Sequence, residues 1–321
     1  MVLSHDAVLL LAFGGPTSPE DIRPFLGRVL RGHPVLPERV EEVARHYEAV
    51  GGRSPLGDIT LRQARALEAT LKQCGLPLPV YVGMRHSRPF IRETLDQMTG
   101  DGIRKALGFI LSSHQTEASW ERYQENGVEA RTELGGCAPE IAYCPGWHSH
   151  PLFIQTWTEQ IQAEMEKVAQ TKRADTPLIF TAHSVPTAMA ARSPYVGQLH
   201  QSCSLVAERL NHRRWSLAYQ SRSGDPNESW LEPDIGNALR DVAIKGTVDV
   251  VVAPIGFVAD HVELLYDLDI EAKQIAEKLG LKFLRASAPN DNPTFIRMMA
   301  DVIQTKLSAF SDHAKTLKGE S

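Results

Sequence analysis

Eight short runs of apolar residues punctuate the chain. In the first half they are Ala7–Phe13, Pro79–Met84, Lys105–Leu111 and Glu140–Cys144. In the second half they are Pro177–Ala182, Trp215–Gln220, Val248–Ile255 and Lys282–Ala286. Runs such as Val-Asp-Val-Val-Val-Ala-Pro-Ile lack the alternation of a strand with one wet face, so they predict strands buried on both faces. The segments between them follow a helical rhythm. Pro37–Ala49 opens on proline and carries a regular apolar stripe; Ile59–Leu71 does likewise, with Gly75 as its stop. Strands alternating with helices imply parallel sheets. Four strands in each half predict two similar α/β domains, residues 1–147 and 148–321, joined near Gly146–Pro151. The final helix, 294–309, could cross back onto the first domain, which periodicity does not decide. The last dozen residues are polar and are expected to fray.

This pattern says where chemistry should lie. Open parallel sheets bind ligands beyond the carboxyl ends of their strands. Two such sheets facing one another would enclose a cleft lined by the residues that follow each strand.

Composition narrows the class. The chain has 321 residues, 42 % hydrophobic and 23 % charged, enough apolar material for a substantial core. A net charge of −5 argues against a broad nucleic-acid footprint. Four cysteines, Cys74, Cys137, Cys144 and Cys203, show no C-x-x-C spacing and read as reduced thiols. Cys137 and Cys144 could share a metal, but two thiols leave such a site half built. Met1–Asp6 lacks a basic signal-peptide region, and no apolar run is long enough to span a bilayer. A cytoplasmic protein without stable membrane insertion is therefore expected.

The strand ends carry several candidates. Phe13-Gly14-Gly15-Pro16 follows the first strand; its glycines permit close approach, but no phosphate-loop pattern follows. Arg85 and His86 follow the second strand, with Arg85 a possible anion contact. His114 follows the third, and Tyr123 lies beyond it. In the second half, Thr181-Ala182-His183-Ser184 places a histidine at a strand end. Pro254 through Glu271 then carries Glu263, Asp267 and Glu271 four residues apart. On one α-helix these would stack along a face, where like charges repel unless a cation or moving protons offset them. A histidine and a carboxylate on neighbouring strand ends can hold a divalent ion and accept protons near neutral pH. Zinc-protease spacing and a nucleophile elbow are both absent. His148 and His150 look like a metal pair but fall in the expected linker.

Five segments together resemble the ferrochelatase family. They are Leu10–Pro16, Tyr47–Leu56, Phe180–Pro186, Tyr219–Gly224 with Trp230–Pro233, and Pro254–Asp269, in the family's order across nearly the whole chain. The resemblance implies a chelatase-like fold and a porphyrin cleft in which His183 and Glu263 face each other. It implies entry of Fe2+ as two pyrrole protons leave, with His183 the better proton acceptor and Asp267 and Glu271 extending a path for metal or protons. Bending of the flat macrocycle is a family expectation. Within the family the chain is most similar to the coproporphyrin III branch, with a short Leu30-Arg31-Gly32-His33 turn. Phe13, Arg31, His46, Ser54, Arg85, His86 and Tyr123 are the expected substrate contacts. Phe13 stands where some members have an iron-reaching tyrosine, and Leu30 where some have arginine. No cysteine follows Cys203, so neither an iron–sulfur cluster nor any other resident cofactor is expected.

Three other readings stay open: a protoporphyrin IX ferrochelatase, with the apolar 24–30 stretch as a membrane-touching lip; a cobalt or nickel chelatase acting on a sirohydrochlorin-type ring; and a haem carrier without catalysis. A monomer making transient contact with other haem-pathway enzymes is expected.

Overall fold

The computed structural model of the chain describes residues 4–31, 37–223 and 228–318. Gly32 and His33 of the expected turn, and Gly224 of the fourth family segment, lie outside the described residues. The eight expected strands are present: β1 (Ala7–Ala12), β2 (Val80–Met84), β3 (Lys105–Ile110), β4 (Glu140–Tyr143), β5 (Leu178–His183), β6 (Trp215–Gln220), β7 (Asp249–Ala253) and β8 (Lys282–Arg285). They form two four-stranded sheets ordered β2-β1-β3-β4 and β6-β5-β7-β8, with every pairing parallel. Every residue of β1 is buried, as expected of a strand covered on both faces.

In the first half the helices are α1 (Ile22–Val29), α2 (Pro37–Ala49), α3 (Leu56–Gln73), α4 (Ile91–Gly100) and α5 (Arg122–Leu134). From Pro151 onward come α6 (Pro151–Met165), α7 (Thr187–Ala191), α8 (Tyr195–Arg209), α9 (Ile235–Ile244), α10 (Val262–Leu265), α11 (Lys273–Lys278) and α12 (Pro293–Lys318). Gly75 ends α3 as expected. It adopts φ +77°, and the amides of Gly75 and Leu76 close onto the Lys72 and Leu71 carbonyls.

One apolar core joins the halves. It includes Leu10, Phe109, Trp157, Phe180 and Val251, all fully buried. The last helix lies against both α3 and α6. Its Phe295, Met299 and Ile303 enter the same core. The helix extends as far as Lys318.

Polar seams tie the halves on two sides. Gln63 of α3 donates to Asn290 O (2.8 Å), beside the Arg62–Asp291 pair. Elsewhere the Gln115 amide donates to Gln198 Oε1 (2.8 Å), and the His114 ring meets the Ser202 hydroxyl (3.0 Å). Phe25, Ala44 and Tyr47 of α1 and α2 form a separate small cluster with Val262, so this first-half hairpin leans on the second half. Among the described residues no helix is long and apolar enough to cross a membrane.

Candidate active site

The carboxyl ends of both sheets border a cavity of about 390 Å³. Phe13, Tyr47, Ser54 and Tyr123 line it from the first half; His183, Trp230, Phe257 and Glu263 line it from the second. Its size and mostly apolar wall suit a small organic ligand. Glycine is required at the first-half rim. Gly14 sits at φ +89° with its back to Ser87, and the Gly15 amide donates to Ser87 Oγ at 3.1 Å.

His183 is the last residue of β5. Its Nδ1 lies 2.5 Å from Ser184 O, an atom that can only accept, so Nδ1 carries a proton and Nε2 faces outward. Nε2 is 3.5 Å from Glu263 Oε1. The Tyr195 hydroxyl holds the His183 carbonyl from behind at 3.0 Å.

Glu263 begins α10 after the loop that leaves β7. The His261 ring caps this helix, its Nδ1 accepting the Glu263 amide at 3.1 Å. Burial is the largest single influence and disfavours both charges, but the partner ion together with the Ser184 carbonyl and Asp267 at His183, and with His261 at Glu263, outweighs it. The His183 imidazole is pushed up to about 9, and the Glu263 carboxyl is held down to about 2. At neutral pH the free protein thus holds an imidazolium against a carboxylate.

The row of carboxylates departs from the expected single α-helix. After α10 the backbone widens into a π turn over Asp267–Ala272, where the Glu271 amide reaches the Tyr266 carbonyl five residues back (2.9 Å). Asp267 accepts the Ser221 hydroxyl. Burial, aided by the Glu263 and Glu271 carboxylates, still pushes its carboxyl up to about 7. Glu271 is raised too, by burial first and then by Asp234 and Glu42. Three anions in one row are thus relieved by protonation as well as by a cation.

Of the residues read from sequence, the structure brings Phe13, Ser54, Tyr123, His183 and Glu263 together around the cavity. Asp267 and Glu271 continue away from Glu263 and do not line it. His86 packs on Phe13 (4.5 Å between rings); burial, then Arg85 and Arg28, pull its imidazole down to about 4, so it adds no cation at neutral pH. Arg85 lies over the Tyr123 ring at 5.1 Å and bonds Asn126 and Ala118. His46 stacks on Tyr266 (3.7 Å), and Arg31 is exposed just before the undescribed residues 32–36.

His148 and His150 turn to Gln201 and Asp301 (2.9 Å each). Among the described residues no group of three or more His, Cys, Asp or Glu side chains could hold a metal. All four cysteines are free.

Two residues that sequence reasoning missed hold the site in place. Arg285, at the end of β8, grips Asp269 with two bonds (2.6 and 2.9 Å) and Asp260 with a third (3.1 Å), clamping both ends of the loop that carries Glu263. Gln220, at the end of β6, donates to the Glu263 carbonyl. The first meets aspartates 16 and 25 positions away, so no local spacing marked it. The second lay in the strand-end segment Tyr219–Gly224, but its residue type alone assigned it no role.

The family model for ferrochelatase matches residues 5–307. The chain belongs to the ferrochelatase family. It is 38 % identical to a ferrochelatase of Rhodopirellula baltica over 309 residues, covering 96 % of this chain and 88 % of that one. It is 43 % identical to the coproporphyrin III ferrochelatase of Mycolicibacterium paratuberculosis over 304 residues, covering 94 % and 88 %. For the coproporphyrin III ferrochelatase of Mycolicibacterium smegmatis the figures are 39 % over 308 residues, covering 95 % and 91 %. Among solved structures, SirB from Bacillus subtilis with Fe3+ matches with a TM-score of 0.61 at 10 % identity, covering 96 % of this chain and 97 % of that one. That likeness is one of fold, and it agrees with the two parallel sheets. As a ferrochelatase the protein is a metal chelatase that inserts metal into a porphyrin, with iron as substrate.

Proposed function

We propose that the protein inserts Fe2+ into coproporphyrin III, releasing two protons, with His183 and Glu263 as the metallation pair. The observation that carries this reading is the 3.5 Å His183–Glu263 pair set in a mostly apolar cavity. A flat apolar ring fits the wall, and its central nitrogens need a metal donor and a proton acceptor at one place. The substrate choice draws on the relatives named coproporphyrin III ferrochelatases. Of the expected propionate partners, Arg31 and Arg85 are the cations, while His46, lowered by burial, would serve as a neutral hydrogen-bond partner; Phe13, Ser54 and Tyr123 line the cavity, and His86 packs behind Phe13.

The electrostatics suggest an order of events. Fe2+ and the Nε2 proton compete for His183, so metal capture releases that proton. The Glu263 carboxylate remains as the second donor. The two N–H nitrogens of the ring would then each exchange a proton for a bond to iron, while the other two bind it through their lone pairs. Asp267, titrating near neutrality, is suited to take protons from the pair and pass them along Glu271 toward solvent.

An anaerobic assay tests this, mixing the protein and Fe2+ with coproporphyrin III or protoporphyrin IX and following loss of free-porphyrin fluorescence. Turnover of coproporphyrin III, abolished in His183→Ala and Glu263→Gln, is expected. Turnover of protoporphyrin IX alone would keep the pair and overturn the substrate. No turnover of either ring by folded protein would overturn the proposal.

A further inference from the structure

We propose that Gln220 is a positioning residue that sets the separation of His183 from Glu263. This rests on reading that pair as the metallation site. Gln220 is buried, 1 % exposed, and ends β6 directly opposite His183 in the β5–β6 register. Its main-chain carbonyl accepts the Ser184 amide at 2.7 Å, which fixes the backbone immediately after His183. Its side chain reaches the other way, and Nε2 donates to the Glu263 carbonyl at 2.9 Å. One residue therefore holds the chain on both sides of the pair.

The orientation of the amide is decided by chemistry. Oε1 accepts the Thr181 hydroxyl at 2.8 Å. The Glu263 carbonyl can only accept, so reversing the amide would set two oxygens against each other. Both partners are thus satisfied in a single rotamer, which makes Gln220 a rigid strut. Glu263 has another restraint, its amide bond to His261, but that partner is two residues away on the same loop and moves with it. The Gln220 bond crosses 43 positions and ties Glu263 itself to the sheet.

Gln220 does not line the cavity. Losing its N–H should therefore loosen the metal donors without disturbing the surface that meets the ring. A residue that served only the fold would change stability and weaken both substrates together.

The test uses the full chain with two substitutions, Gln220→Met and Gln220→Glu. Methionine keeps the length and removes both bonds. Glutamate keeps the acceptor for Thr181 and, assayed on the alkaline side where a buried carboxyl ionises, offers the Glu263 carbonyl no proton. Steady-state metallation of coproporphyrin III is measured with each substrate varied in turn, beside His183→Ala. In both variants the KM for Fe2+ should rise about tenfold or more while the KM for porphyrin stays at the wild-type value. If Gln220→Met does not fold, Gln220→Glu supplies the same reading. An unchanged KM for Fe2+, or an equal rise in both constants, overturns the positioning role. Should His183→Ala retain activity, the pair itself is misassigned. With His183→Ala inactive and the Gln220 variants like wild type, only the strut fails.

Discussion

The two sheets share one strand order, yet their carboxyl ends carry different kinds of residue. In the first half the strand ends bring Phe13, Gly14 and the segment leading to Tyr123, which give shape and apolar surface. In the second half they bring His183 and Gln220, and the loop after β7 brings Glu263. The histidines show the contrast best. His86 and His114, both in the first half, are pulled down to about 4 and about 3 by burial, so they stay neutral. His183 meets a carboxylate and goes the other way. Burial leaves both first-half rings neutral, whereas at His183 the direct contact with Glu263 helps reverse the shift. The first half thus builds a wall, and on the proposed reading the second supplies the chemistry.

The largest effect should separate the halves outright. His183→Ala or Glu263→Gln is expected to lower metallation by about 10²–10⁴-fold while porphyrin still binds, read by fluorescence titration. Ser54→Ala, in the opposite wall, should instead raise the porphyrin KM with little change in kcat. A kcat collapse from Ser54→Ala would erase the distinction.

Next comes pH. Because His183 titrates near 9, capture of Fe2+ should strengthen with rising pH until that range and then level off. The same pair makes stability depend on pH. The histidine's contribution is complete below about 6.5 and is lost as pH rises through about 9. The glutamate's contribution is complete above about 4.5 and is lost as pH falls through about 2. His183→Ala should remove the alkaline limb of a melting-temperature profile; an unchanged limb would place its origin elsewhere.

A smaller effect is expected at the clamp. Arg285→Met leaves Asp260 and Asp269 without their shared cation in a half-buried setting and should cost about 2 kcal/mol in urea unfolding. The smallest belongs to the seam between halves. Arg62 and Asp291 are 45 % and 38 % exposed, so Arg62→Ala should cost less than about 1 kcal/mol. A larger loss would mean that the halves depend on this contact more than their common core suggests.

Much of the fold was legible because strands covered on both faces leave unbroken apolar runs, and eight such runs became eight strands. That His183 and Glu263 would meet was legible because residues after parallel strands gather at the sheets' carboxyl ends, and the structure brings the two side chains to 3.5 Å. The π turn was not. A spacing of four between Glu263, Asp267 and Glu271 reads the same in an α-helix, and the widened turn appears only in which carbonyl the Glu271 amide finds. Nor was the clamp, because Arg285 meets Asp260 and Asp269 across 25 and 16 positions and no periodicity spans such gaps. The rim contacts were legible as residue types but not as places: His46 turned to stack on Tyr266 instead of lining the cavity.

On the proposed reading, His183 and Glu263 would offer an ion two side-chain donors, Nε2 and a carboxylate oxygen. Most structural metal sites close four. Low denticity makes for a short residence time. An ion held there would keep several of its own waters, which are quick to exchange. A macrocycle arriving with four nitrogens would then win by number, without the protein having to open a finished cage. Such a site would act as a turnstile, its weakness as a binder keeping iron moving through it.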